Sequence, residues 1–83
     1  MAEKEIGRVT HYFSRISVAG IKLTDTLCEG DTIHIVGQTT DFTQEVRSME
    51  LDNEPITEGQ PDQEIGLKVH ERVRSKDRVY KVE

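Results

Sequence analysis

Residues 18–37, VAGIKLTDTLCEGDTIHIVG, decide the fold, because they predict two β-strands joined by a short loop and a tight turn. Apolar and polar side chains alternate in both halves, and this period of two places every second side chain on one face of a strand. Gly30 permits a positive φ, and Asp31 can hydrogen-bond within its own turn. We expect these strands and the loop to bury five apolar side chains together: Ile21, Leu23, Leu27, Ile33 and Ile35.

The same alternation predicts strands on both sides of this stretch, and no window shows the 3.6-residue period of a helix. The expected strands cover residues 6–13, 16–23, 32–36, 42–51, 63–69 and 78–82. Both faces of 6–13 carry apolar side chains, so its inward face stays open. Within 42–51 the apolar phase slips between Val46 and Met49, which predicts a bulge or bend near Arg47 and Ser48. Pro55 lacks a backbone N–H and therefore excludes a central strand at its position.

Length and composition predict one small all-β domain over residues 1–83. Only 34% of the residues are hydrophobic and 5% are aromatic, so the core must be thin for a chain that buries roughly 60% of its unfolded surface. A closed sheet suits such a chain because it leaves few unpaired edges. We therefore predict a closed or nearly closed antiparallel β-barrel of six to seven strands.

The composition also restricts where the chain acts. Charged residues make up 33% of the sequence, and no apolar run approaches the roughly 20 residues of a membrane span. The charged N-terminal residues lack the apolar core of a signal peptide. The single cysteine cannot form an internal disulfide, which fits a cytoplasmic location. The net charge of −5 disfavours generic binding to nucleic acid.

Several stretches resemble the second, β-barrel domain of the translational GTPases, such as elongation factor Tu. They lie at residues 6–10, 19–21, 27–35, 46–49 and 63–69. Two more stretches, 11–13 and 40–42, extend the likeness to the C-terminal barrel of the collagenase-like peptidases, whose members include tRNA-modification proteins. The resemblance implies a barrel of the translation-factor domain II type. It implies no GTPase activity and no nucleotide cofactor, because the chain contains no Gly-Xaa-Xaa-Xaa-Xaa-Gly-Lys-Ser/Thr segment.

No residue pattern demands catalysis or a metal. Cys28 would need a neighbouring base, such as His34 or His11, to act as a nucleophile, and nothing in the spacing demands this. We therefore interpret it as a small buried or half-buried thiol. The three histidines, His11, His34 and His70, are isolated in sequence, whereas zinc ligands usually come in closely spaced pairs. We interpret them as solvated histidines on strands and expect neither an enzyme nor a cofactor.

The charges are divided between two zones. Residues 49–64 contain six acidic and no basic side chains, whereas 68–81 contain six basic side chains against two acidic ones. Arg72, Arg74, Lys76 and Arg78 alternate, so an extended segment would carry them on one face, with Tyr80 at the same parity. Such a face could follow an RNA backbone while Tyr80 stacks on a base. Alternatively, these cations pair with the acidic zone or lie in solvent, where each pair contributes about 0–1 kcal/mol.

Two functional hypotheses follow. The first is a non-catalytic binding module that engages tRNA, the ribosome, or a translation or tRNA-modification protein through the surface containing Arg72, Arg74, Lys76, Arg78 and Tyr80. The second is a protein-interaction subunit that supplies a larger enzyme with its barrel in trans. Co-purification with a catalytic partner and no affinity for free RNA would favour the second.

Overall fold

The computed structural model describes residues 2–83, and this range contains β-strands but no helix. It therefore contains no helix that could cross a membrane. The strands, in chain order, are β1 (Glu3–Phe13), β2 (Val18–Leu23), β3 (Leu27–Cys28), β4 (Thr32–Val36), β5 (Asp41–Glu45), β6 (Met49–Leu51), β7 (Glu54–Ile56), β8 (Glu58–Gly59), β9 (Glu64–Lys68) and β10 (Arg78–Val82).

Every strand pair in the described range is antiparallel, which confirms the all-β antiparallel prediction. The main sheet has the order β5-β4-β10-β1-β2-β9-β6-β7, and β3 pairs with β8 in a second, two-stranded sheet. The predicted count of six to seven strands is wrong, because residues 2–83 form ten. The expected fourth strand divides into β5 and β6, and the two- and three-residue strands β3, β7 and β8 are too short to show alternation in the sequence.

The main sheet is strongly curled, but no closed barrel is found. Only residues 46–48 connect β5, at one edge, to β6, near the other edge. The chain between the end of β5 and the start of β6 can span at most about 14 Å. In a flat sheet these two strands would lie six strand spacings apart, roughly 29 Å. The Gln44 side chain of β5 also reaches the chain just after β9, donating to Lys68 O at 2.9 Å and accepting from His70 N at 2.8 Å. Within residues 2–83, no backbone ladder joins the edge strands β5 and β7.

The five apolar residues expected to meet are all buried, each with 0% exposure, which confirms the central prediction. They belong to one cluster of sixteen buried apolar residues in the described part of the chain. The turn between the two halves also forms as expected. Gly30 has a φ of +96°, and Asp31 Oδ2 accepts a hydrogen bond from Cys28 N at 2.9 Å.

Two irregularities in β1 explain why its inward face could not be chosen from the sequence. The pairing register shifts between Glu5 and Gly7 on the β10 side, and between Val9 and His11 on the β2 side. Each shift changes which side chains face the core. Ile6 and Val9 are therefore both buried, although they have opposite parity, and Phe13 at the end of the strand is exposed.

The first and last strands are neighbours in the middle of the main sheet. Glu3 pairs with Val82, and the ladder continues to Arg8 opposite Arg78. Beyond the strands, Glu83 N donates a hydrogen bond to Ala2 O at 2.9 Å. The other side of β10 pairs with β4, so β10 joins β4 to β1.

Candidate functional site

The basic segment predicted from the sequence lies mainly on the connection between β9 and β10. Arg72, Arg74 and Lys76 are exposed on this loop, Arg78 is exposed at the start of β10, and Tyr80 is half-buried within that strand. The segment 72–77 is a connection and not an extended strand, since a turn occupies 75–76 and Lys76 has a φ of +77°. The alternation therefore does not place its cations on one face. All four cations are nevertheless exposed to solvent. The buried side chains of this segment belong to other residues.

Asp77 fixes the shape of this loop. Its carboxylate is buried, and Oδ2 accepts a hydrogen bond from Arg74 N at 2.9 Å. The loop backbone is attached to β1 by two bonds with Val9, from Lys76 N at 2.7 Å and to Asp77 O at 2.8 Å. A Cβ on Gly37 would lie 2.5 Å from Asp77 Cγ, so the carboxylate occupies space that only a glycine leaves free. The basic side chains therefore project from a fixed backbone.

A second group of cations lies on the outer face of the main sheet. Arg78 on β10 is the cross-strand partner of Arg8 on β1, which in turn is the partner of Lys22 on β2. All three are exposed, and directly paired residues point to the same face about 5 Å apart. We call Arg78, Arg8 and Lys22 the basic row. Like charges placed opposite each other destabilise a sheet, so this arrangement is costly unless anions compensate it.

Nearby carboxylates compensate the basic row at its two ends. Glu5 Oε1 lies 3.9 Å from Arg78 Nη1, and Glu64 is the cross-strand partner of Lys22. The loop cations differ, because within residues 2–83 no ion pair joins Arg72, Arg74 or Lys76 to a carboxylate. The alternative that the basic segment pairs with the acidic zone at 49–64 thus has no support among the described residues.

The surface predicted from the sequence includes Arg78 but does not include Arg8 and Lys22. Both residues occupy exposed positions of predicted strands, and that alternation was the available signal. The signal was insufficient because only the register of β1 against β2 and β10 places the three side chains beside one another. Tyr80 has Glu5 and His34 as cross-strand partners, so the surroundings of its ring include a carboxylate.

His34 is not the solvated histidine expected from the sequence. Its side chain is only 22% exposed, and its Nε2 and Nδ1 lie 2.5 Å from Asp41 Oδ1 and 3.0 Å from Glu3 Oε1. The hydrogen bond to Asp41, followed by that to Glu3, raises the pKa of His34 above its usual value. With an acceptor at each ring nitrogen, the arrangement favours the imidazolium, which donates from both. His11 and His70 are exposed, as predicted.

Residues 2–83 contain no group of three or more histidines, cysteines or carboxylates placed to hold a metal ion. Cys28 is a half-buried free thiol, and its backbone N–H donates to the Asp31 carboxylate. The surface features of this part of the chain include the basic row, the loop cations and the outer face of the sheet.

Comparison with known proteins gives one sequence relative and a fold. No protein-family model matches the chain. It is 40% identical over 77 residues to a Methanocaldococcus jannaschii protein named as an uncharacterized protease. The match covers 92% of this chain but only 19% of the relative, so the chain spans about a fifth of that protein's length.

Two solved structures share the fold. Both are of the C-terminal domain of a Geobacillus thermoleovorans protein assigned to the U32 peptidases, the second as a selenomethionine variant. The first superposes with a TM-score of 0.90, 18% identity, and coverage of 96% of this chain and 93% of the domain. The second gives 0.87, 18%, 92% and 96%. These comparisons support the resemblance to the collagenase-like peptidases and provide no link to elongation factor Tu. The chain therefore has the fold of the C-terminal domain of a U32 peptidase-type protein.

Proposed function

We propose that this chain is a non-catalytic binding module that acts together with a catalytic unit of the U32 peptidase type. One observation carries the proposal: the match covers nearly all of this chain but 19% of the archaeal relative, so about four fifths of that protein lies outside it. A module of this kind contributes contacts, while the reacting groups belong to the larger part. A cytoplasmic location, expected from the lone cysteine, is part of the same proposal.

The composition of the interior supports a contact function. Within residues 2–83 the buried side chains are almost all apolar, and the three buried polar or charged residues are Thr40, Gln44 and Asp77. Gln44 and Asp77 both hold backbone N–H groups of the connection after β9. These hydrogen bonds explain why the two polar side chains are buried, and no functional role is needed to account for them.

The test uses the archaeal relative without the residues that match this chain. This truncated protein is mixed with the purified module, and complex formation is followed by size-exclusion chromatography and calorimetry. Peptidase activity is measured for the truncated protein alone, for the module alone, and for the mixture. We expect a complex, with activity present only where the larger part is present. Activity of the module alone, or no complex at any concentration tested, would reject the proposal.

A second candidate function is RNA binding, and the specific observation in its favour is the basic row. Glu5 and Glu64 compensate the two ends of the row, but within residues 2–83 no ion pair joins the central Arg8 to a carboxylate. The closely spaced phosphates of tRNA or ribosomal RNA would supply anions there. The loop cations Arg72, Arg74 and Lys76 would extend the surface beyond Arg78. The partners considered are tRNA, the ribosome, or a translation or tRNA-modification protein.

Salt dependence tests the RNA candidate. If four phosphates are neutralised, the logarithm of the association constant for tRNA should fall against the logarithm of salt concentration with a slope of about −3 to −4. The double variant Arg8→Glu, Arg78→Glu should remove about half of that slope. The matched control is Arg47→Glu, an exposed arginine outside the basic row. An equal loss in the control would show that binding depends on net charge alone.

A further inference from the structure

Phe13 and Ile16 are the large hydrophobic side chains that residues 2–83 leave exposed, at 47% and 58%. They lie three positions apart, at the tip of the hairpin formed by β1 and β2. Scattered exposed apolar residues need no explanation, but contiguous ones commonly mark interaction sites.

Backbone hydrogen bonds hold the hairpin tip in place. Ile16 N donates to Phe13 O at 3.2 Å, which closes the turn. Ser17 has a φ of +57°, and its carbonyl accepts a bond from Val69 N at 2.9 Å. The tip is thereby attached to the segment after β9. The exposure of Ile16 is a property of this ordered turn rather than of a loose end.

A hollow lies on the outer face of the sheet beside the hairpin tip. Its floor contains Gly20 on β2 and Gly66 on β9, which are direct cross-strand partners. Gly20 is buried beneath the side chains of Thr10, His11 and Glu64, whereas Gly66 is half-buried. The part of the floor that reaches solvent is therefore the one at Gly66. Phe13 and Ile16 form one flank, and one section of the hollow, lined also by Val18 and Gly66, has a volume of about 280 Å³. That volume accommodates a single large apolar side chain.

The other side of this section is acidic. Glu50, Asp52 and Glu64 line it without a lysine or arginine among the described residues, whereas Lys68 lines the adjoining section beside Glu50. Glu64 Oε2 accepts a hydrogen bond from Thr10 Oγ1 at 2.6 Å and is thereby oriented along the rim. An apolar wall facing three carboxylates complements a ligand that has an apolar side chain next to a cation.

We infer that this hollow binds a segment of a partner protein in which an apolar side chain is flanked by lysine or arginine. The apolar side chain occupies the space above Gly66, between Ile16 and Val18, and the cation faces Glu50 and Asp52. A second copy of this chain fits less well. In a two-fold dimer the facing patch would be an identical one, which adds three more carboxylates and, in this section, no cation to pair with them. RNA is disfavoured by the same acidic rim.

The inference goes beyond the proposed function, because it holds whichever protein supplies the segment. The probe is therefore a peptide, acetyl-Lys-Ile-Trp-Lys-amide, titrated into the ¹⁵N-labelled chain to millimolar concentration. We expect saturable shifts of the amide signals of Gly20 and Gly66. The peptides acetyl-Glu-Ile-Trp-Glu-amide and acetyl-Lys-Ser-Ser-Lys-amide should bind at least about tenfold more weakly. The first lacks the cations and the second lacks the apolar side chains.

Variants locate the binding on the protein. Ile16→Ser should reduce affinity about tenfold, as expected for an anchor residue, and its melting temperature should stay unchanged because Ile16 is mostly exposed. Gly66→Ala adds one methyl group to the floor, 3.3 Å from Val18 Cγ1, and should weaken binding without unfolding the chain. Glu50→Gln should weaken binding, whereas Glu29→Gln, on an exposed turn that does not line the hollow, should not.

The outcomes separate the inference from the proposed function. No shift, shifts located elsewhere, or equal binding of the three peptides would overturn the inference, whether or not the larger protein binds. A wild-type dimer that Ile16→Ser dissociates, detected by ultracentrifugation, would also overturn it and assign the hollow to a second copy. Normal peptide binding without a complex with the truncated relative would reject the proposed function and leave the inference standing.

Discussion

Replacement of Gly37 by alanine should destabilise the protein through a single contact, that with Asp77. A Cβ at this position would lie 2.5 Å from Asp77 Cγ, far inside van der Waals distance. Relief requires the buried carboxylate to move, and this breaks its 2.9 Å bond from Arg74 N. A hydrogen bond to a charged group contributes about 1.5–3 kcal/mol, and strain from overpacking costs about 1–3 kcal/mol. Because movement relieves the strain, the expected loss is about 2–3 kcal/mol.

A double-mutant cycle measures this contact in urea-unfolding experiments. Asp77→Ala removes the same hydrogen bond and should itself destabilise the chain by about 1.5–3 kcal/mol. Once the carboxylate is gone, Gly37→Ala should cost less than about 0.5 kcal/mol, giving a coupling energy near 2 kcal/mol. A domain of 83 residues has a total stability of about 4–12 kcal/mol, so the single variants should remain folded. Their melting temperatures should fall by about 10 °C.

The cycle has a clear negative result. If Gly37→Ala costs the same with and without the Asp77 side chain, its effect arises from the backbone and not from the carboxylate. The account of how the basic loop is fixed would then be wrong. Gly30→Ala is the control, because Gly30 has open space around its Cβ position and is constrained only by its φ of +96°.

Three further predictions concern the core, the turn and the ion cluster. Ile33→Ala should lower the free energy of unfolding by about 2–5 kcal/mol, since it leaves a cavity in the buried cluster; a loss below about 1 kcal/mol in urea titration would contradict its placement. Gly30→Ala should lower the free energy of unfolding by about 1 kcal/mol both with and without the Asp77 side chain, because a residue with a Cβ is strained at positive φ. The raised pKa of His34 should stabilise the fold fully below pH about 6.5, and this stabilisation should disappear as pH rises through the higher folded-state pKa. The stability difference between wild type and His34→Gln should therefore shrink from pH 5.5 to 9, and more so at low salt; a difference independent of pH would show that the charge of His34 is irrelevant.

The parts of this fold that the sequence predicts are those in which one strand carries a regular alternation. The bounds of β4 and β10 agree with the expected 32–36 and 78–82, and the five residues of the central stretch are buried together. The interruption expected near Arg47 and Ser48 is present, since β5 ends at Glu45 and β6 begins at Met49. Pro55 is compatible with its strand because β7 lies at the edge of the sheet.

The parts that the sequence could not provide depend on contacts between distant segments. Arg8 and Lys22 lie beside Arg78 only because of the register between three strands. That register cannot be deduced from the sequence of any single strand. The hollow requires two glycines, 46 positions apart, to face each other, together with the exposed hairpin tip. The alternation predicts that Ile16 lies in a strand, whereas β2 begins at Val18, so the sequence does not indicate the exposure of Ile16.

The pairing of β1 with β10 has a consequence for how this module can be built into larger proteins. Ala2 and Glu83 are joined by a backbone hydrogen bond, so the polypeptide enters and leaves the fold at one place. A host protein can therefore carry the module within a surface loop as easily as at a terminus, because insertion separates the flanking host residues only slightly. Synthesis is affected as well. Since β10 supplies the link between β4 and β1, the sheet cannot be completed on the ribosome until the last strand has emerged from the exit tunnel.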